Sequence, residues 1–206
     1  MVVLVTPYAW TNDDADAFVA FCATLGITDR TIPLRVWSNE SDNSPCPPRN
    51  GPAVGICQFE PATLRGLGYE MAADPKLDAF CAMTVAEQLL WAARFFSGAT
   101  GRLNSVAAFY LWDFLPAQLH LADTPDAVVC GSRVGDPYST AYHDNRGFDA
   151  TRKGWITPQD LTDAANRQYG PRAQAIAALV AQRADTSPEL LTPSVAAVEA
   201  IEGIVT

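Results

Sequence analysis

Val36–Leu67 reads VWSNESDNSPCPPRNGPAVGICQFEPATLRGL. Its opening residues continue a helical pattern that starts near Asp29 or Thr31, with Pro33 tolerated in the first turn. That helix ends at about Glu40, and Ile32 and Val36 share its face with Glu40 at i, i+4, i+8 spacing. From Ser41 to Pro52 the chain is dense in Ser, Asn, Pro and Gly, which predicts a loop. It then re-enters apolar sequence at Val54-Gly55-Ile56-Cys57-Gln58-Phe59. Gly55 allows close backbone approach, and Gln58 is a polar side chain in an apolar run. It is expected either to be hydrogen-bonded structurally or to face a cleft. Glu40 feels the negative end of its helix dipole in a partly apolar setting, and both effects disfavour a charged carboxylate. A general acid working near neutral pH requires such a setting.

Outward from this stretch the chain is mostly helical. Asn12–Leu25 predicts a helix capped by Asn12 or Asp13, with Phe18, Phe21, Cys22 and Leu25 on one face and Gly26 ending it. Pro61–Leu67, Thr84–Phe96, Leu103–Phe114 and Ala173–Ala184 carry helical patterns, and Ser194–Ile204 suggests a last helix. Strand signals are thin. The runs at residues 2–5 and at Ala127–Cys130 are short and read as well helical as extended. No repeat or long linker divides the 206 residues, so a single domain over 1–206 is expected.

Composition removes several functions. The net charge is −9 without a local basic cluster, which argues against gripping nucleic acid through its phosphates. No apolar stretch approaches the roughly 18 residues of a membrane span. The opening MVVLVTPYAW lacks the basic and apolar regions of a secretory signal. Five cysteines without C-x2-C spacing, and two distant histidines (His120 and His143), do not suggest zinc or a disulfide framework. Most of these cysteines read as small buried hydrophobes. A Cys46–Cys57 bridge stays open because the intervening loop is short.

Glu40-Ser41, a loop of 13 residues and then Gly55-Ile56-Cys57-Gln58-Phe59-Glu60-Pro61-Ala62-Thr63 together resemble the signature of soluble lytic transglycosylases and goose-type lysozymes. That pattern is E-S, about 13 residues, then G-[LI]-x-Q-[FIL]-x-P-x-T, and Arg65-Gly66-Leu67-Gly68 continues as in phage members. The resemblance covers about residues 28–120. It implies an α-rich, lysozyme-like fold with a cleft and a small β element near Gly51–Phe59, followed by a C-terminal helical extension over about 140–206. It also implies Glu40 as the single catalytic acid/base for the β-1,4 bond between N-acetylmuramic acid and N-acetylglucosamine in peptidoglycan. Ser41, Gly55, Gln58 and Phe59 fall on substrate-binding positions, with Ser41 contacting the acid or the sugar. Val106-Ala107-Ala108-Phe109-Tyr110 falls where the family has A-A-Y-N-A-G, so Tyr110 takes the cleft tyrosine's place. The Asn and Gly that should follow are absent.

The same resemblance implies glycan strands of peptidoglycan as the partner and no cofactor. A lytic transglycosylase is expected ahead of a muramidase, for which Asp42, Glu60 and Asp113 are the conceivable second acids. Without a signal peptide, the expected place is a phage virion, in the tail or baseplate, or the host cytoplasm before release. An inactive structural virion protein of the same fold is the alternative. Farther on, Asp149–Asp160 resembles a calcium loop of the EF-hand kind, with Lys153 at position 5 and Asp160 at position 12. A lysine among the ligands repels a cation, so a degenerate loop without metal is expected.

Overall fold

A computed structural model describes residues 8–48 and 51–191. The expectations for residues 2–5 and for Ser194–Ile204 lie outside the described residues. Helix α1 spans Asn12–Leu25, as the periodicity predicts, but its cap is Thr11 rather than Asn12 or Asp13. Thr11 and Asp14 form a reciprocal capping box, which satisfies two of the N–H groups a helix start leaves open. At the other end Gly26 adopts a left-handed φ of 69°. There its N–H bonds to Ala23 O and that of Ile27 to Cys22 O, a Schellman closure that glycine makes without a steric penalty.

Helix α2 covers Thr31–Glu40 and α3 Pro61–Gly66; the short α4 is Asp78–Cys81. Helix α5 covers Val85–Phe96 behind a Thr84–Glu87 capping box, and α6 covers Val106–Phe114. The sequence pattern starts α6 at Leu103, whereas Ser105 caps it by accepting the Ala108 N–H at 3.1 Å and so sets its first turn. Helix α7 is Ser139–Asp144, α8 is Pro158–Gln168 and α9 is Pro171–Thr186. The fold is mainly α. Among the described residues no helix is long and apolar enough to cross a membrane.

Two short strands, β1 (Cys130–Gly131) and β2 (Trp155–Ile156), pair antiparallel with Cys130 opposite Ile156. The apolar run at Ala127–Cys130 therefore ends as a strand, because its backbone finds a partner across the chain. The β element expected near Gly51–Phe59 is a single antiparallel bridge, Val54 to Phe59.

The core is an aromatic stack contributed by four helices. Phe18 and Phe21 of α1 meet Trp37 of α2, and Phe96 of α5 lies 4.4 Å from Phe109 of α6, centroid to centroid. Trp37 and Phe109 touch edge to face at 5.7 Å. All are essentially fully buried, and truncating one such ring costs about 3–5 kcal/mol. Helix α2 thus runs through the middle of the fold, which fixes where its last residue emerges. Helix α8 lies against both α2 and α6. Arg35 of α2 bonds Asn166 at 3.0 Å and covers the Tyr169 ring. Helix α9 closes on α1 through a two-pronged Arg183–Asp16 ion pair at 2.6 and 2.7 Å.

The disulfide joins Cys46 to Cys81, not Cys46 to Cys57. Cys57 is buried as a free thiol inside the Val54–Phe59 turn. Loop length favours a short-range bridge, but the direction of the Cβ atoms decides which sulfurs meet.

The Asp149–Asp160 loop is closed by protein groups. Asp149 accepts the backbone N–H groups of Lys153 (2.9 Å) and Gly154 (2.7 Å) and the Tyr142 hydroxyl. The Lys153 ammonium sits 2.7 and 2.6 Å from the two Asp160 carboxylate oxygens. Asp160 also completes the Thr157 capping box that starts α8.

Candidate active site

Glu40 is the last residue of α2, and the chain turns sharply after it. Asp42 and Asn43 follow with left-handed φ values of 52° and 53°, a conformation that Asp and Asn tolerate better than most residues. The turn is closed from within. Trp37 O accepts the N–H groups of Ser41 (2.9 Å) and Asn43 (3.2 Å). The fully buried Asn43 amide donates to Ser38 Oγ at 2.8 Å and to Leu34 O at 3.2 Å. Trp10 Nε1 donates to Asn43 O at 2.9 Å.

The carboxylate is held by a relay from the preceding residue, Asn39, and from α6. Tyr110 Oη donates to Glu40 Oε1 at 2.7 Å, and Asn39 Nδ2 donates to Tyr110 Oη at 2.7 Å. Burial first, and then the Glu40 charge and hydrogen bond, push the Tyr110 hydroxyl far above its ordinary range. It therefore stays a neutral donor. Tyr110 is at once a core aromatic, 1% exposed, and the direct partner of the acid.

The Gly55–Phe59 segment returns to the end of α2. Ser41 Oγ lies 2.7 Å from Ile56 O, with Trp37 O farther away at 3.2 Å, so its single proton serves Ile56. Ser41 thus ties helix to turn rather than touching Glu40. Gly55 has φ of 81°, and a Cβ there would fall 2.7 Å from a Phe80 ring atom and 2.8 Å from Gln88 Oε1. Gln58 is half-buried with φ of 49°, and its Nε2 donates to Gly55 O at 2.8 Å. Its amide braces the turn. Phe59 is buried against Phe80 and Phe95, so it supports the wall from behind.

Gln88 organises this region, and the sequence reading missed it. Fully buried on α5, it accepts the Ile56 N–H at 2.8 Å and donates to Pro45 O (2.8 Å) and Phe80 O (3.0 Å). Three segments, including the neighbours of both disulfide cysteines, meet on one amide. The available signal was its position on the Val85, Leu89, Ala92 stripe, where a polar residue must find partners.

Glu40 lines two cavities. One, about 430 Å³, is walled by Pro45, Pro47, Met83 and the Cys46–Cys81 bridge, with Tyr8 and Arg172 at one end. Arg172 holds that end by donating to Tyr8 O at 2.6 Å and lying 3.6 Å from Asp42. The second, about 360 Å³, has Asn39, Asn145, Phe148 and Arg167 in its wall. Glu40 can therefore meet a ligand from either cavity.

Asp113, one turn beyond Tyr110 on α6, is the conceivable second acid nearest in character. Burial first and the Glu40 charge second raise its carboxyl well above the usual range. Burial, followed by Asp113 and Glu40, likewise pushes up the Cys57 thiol, leaving it protonated and inert. Among the described residues no group of three or more His, Cys, Asp or Glu side chains is arranged to hold a metal ion. Comparison with protein-family models, with curated proteins and with solved structures finds no match in any of the three.

Proposed function

We propose that the protein is a lysozyme-like glycosidase that cleaves the β-1,4 bond between N-acetylmuramic acid and N-acetylglucosamine in peptidoglycan, with Glu40 as the acid/base. The observation that carries this reading is the Tyr110–Glu40 hydrogen bond at the junction of two cavities. It joins two positions that the motif resemblance assigned separately. In the first step the Glu40 proton goes to the glycosidic oxygen as the C1–O bond breaks and the N-acetylglucosamine hydroxyl leaves. In the second step Glu40 takes a proton from the hydroxyl that attacks C1.

Two hydroxyls can attack. The muramic C6 hydroxyl gives a 1,6-anhydro product, and water gives a reducing end. A hydrolase normally needs a second, ionised carboxylate. Asp113, whose carboxyl burial first and the Glu40 charge second push well above the usual range, is poorly suited to that part. This favours the transglycosylase reaction. The same reading puts the protein on a phage particle, in the tail or baseplate, opening the wall during penetration.

The competing reading is an inactive virion scaffold of the same fold. Leu111 and Trp112 favour it, since they stand where the family's Asn and the residue after it stand, as does the Gln58 amide engaged by its own turn. Mass spectrometry of purified peptidoglycan after digestion separates these. Anhydro-muropeptides support the transglycosylase, reducing muropeptides the muramidase, and undigested wall the scaffold.

A further inference from the structure

The cavity on the α8 side of Glu40 has a wall built from residues outside the motif-bearing part of the chain. Asp144 and Asn145 end α7, Phe148 follows them, and Arg167 lies in the last turn of α8. This wall is fastened to the acid itself. The Phe148 ring meets Tyr110 edge to face at 5.1 Å, and Tyr110 donates to Glu40. Helix α8 is fixed to α2 by the Arg35–Asn166 hydrogen bond, one residue before Arg167.

Arg167 has no use inside the protein. Among the described residues neither a hydrogen bond nor an ion pair engages its guanidinium, although Asp144 lines the same cavity. Arg35 of α2 is employed on Asn166, and Arg172, which lines the other cavity, on Tyr8. A guanidinium is a planar fork of donors suited to a carboxylate, and one left unpaired beside a catalytic acid calls for an anion from the ligand. In the wall the lactyl carboxyl of each muramic residue is tied up as an amide to its peptide stem, so the glycan backbone itself is neutral there. The anionic groups of peptidoglycan belong to the peptide stems on the muramic residues. At about 360 Å³, the cavity has room for more than a sugar hydroxyl.

We propose that this cavity is a subsite for the peptide stem, with Arg167 pairing a stem carboxylate and Asn145 Oδ1, whose Nδ2 is held by Ala141 O at 3.0 Å, accepting from the stem's amide N–H groups. Arg167 is then a specificity-determining residue that distinguishes glycan with anionic stems from glycan whose stems are neutral. The inference rests on the glycosidase reading given above.

The test compares turnover of intact purified cell wall with turnover of the same wall after its stem carboxylates are converted to neutral amides with a carbodiimide and methylamine. Arg167→Ala should lower kcat/KM on intact wall by about ten- to a hundredfold, the scale of a lost charged hydrogen bond. It should leave turnover of the amidated wall unchanged, and Arg167→Lys should recover part of the loss. Equal losses on both substrates, or none on either, with an active wild type would overturn the subsite alone. A wild type no more active than Glu40→Gln on either substrate would overturn the glycosidase reading, and the subsite with it.

Discussion

Tyr110 donates its hydroxyl to Glu40 across 2.7 Å from a ring that is itself 1% exposed. A core residue thereby fixes the direction of a surface carboxylate. Tyr110→Phe keeps the ring in the aromatic core and removes only the donor. The expected result is a melting temperature within a few degrees of wild type and a fall of about tenfold in kcat, the rate equivalent of about 1.4 kcal/mol. KM on purified cell wall should stay nearly constant, because the hydroxyl is spent on Glu40. A loss in KM alone would place Tyr110 on the substrate instead.

Glu40→Gln retains the side-chain volume and a group that can accept from Tyr110. Wall-degrading activity should drop at least ~10²-fold while the fold survives, since a positioned general acid contributes that much or more. Undiminished turnover by the folded variant would remove Glu40 from the reaction.

Gly55→Ala tests the junction behind the acid. The new methyl meets the Phe80 ring and Gln88 Oε1 at under 3 Å, on a backbone with φ of 81° that alanine resists. Neither neighbour can yield easily, because Gln88 also holds Ile56, Pro45 and Phe80. A loss of about 2 kcal/mol or more is expected, seen as a melting point lowered by roughly 5 °C or more.

The Cys46–Cys81 bridge closes a separation of 35 residues and walls the larger cavity. Replacing both cysteines by serine should cost about 2–4 kcal/mol in chemical denaturation. Activity should fall further than stability accounts for when measured well below the melting range. Equal activity per folded molecule would show that the wall keeps its shape without the bond.

Asp113 makes the pH dependence informative. Burial, with Glu40 as the second cause, lets the folded chain keep this proton well above the ordinary carboxylate value of about 4. The unfolded chain releases it near 4. Between those two values the native state binds more protons, so Asp113 costs stability as pH rises through that window. Asp113→Asn should therefore gain melting temperature on wild type at pH 7 and much less near pH 4. Asp74 and Asp149 behave oppositely. Burial pushes both upward, but hydrogen bonds from Phe80 and Tyr69, and from Gly154, Lys153 and Tyr142, outweigh it and leave both lowered. Their contribution disappears as pH falls below about 4, in wild type and variant alike.

Helices with strong local signals were legible in the sequence. Apolar spacing and a closing glycine located α1, and Thr84 with the Val85–Ala92 stripe located α5. The Glu40 turn and the returning Gly55 segment were legible from their spacing, and their meeting is visible in the Ser41–Ile56 bond. The rest depends on contacts distant in sequence. The short α4 is stabilised by Asp74 accepting the Phe80 N–H, which no local pattern announces. Cys81 was passed over as a partner for Cys46 because separation along the chain does not measure the distance between Cβ atoms. Asn39 is silent in sequence since its function, donating to Tyr110, exists only once α2 and α6 have packed.

Lys153 gives the Asp149–Asp160 loop an ion that cannot diffuse away. A site filled from solution gains stability with the logarithm of free ion concentration and loses it on dilution or chelation. An ammonium carried on the same chain has a local concentration set by its tether, whatever the medium contains. The turn into α8, and with it the cavity wall bearing Arg167, should therefore keep its shape from calcium-rich surroundings to calcium-poor ones. The shape of this side of the cleft is thereby uncoupled from the mineral composition of the medium.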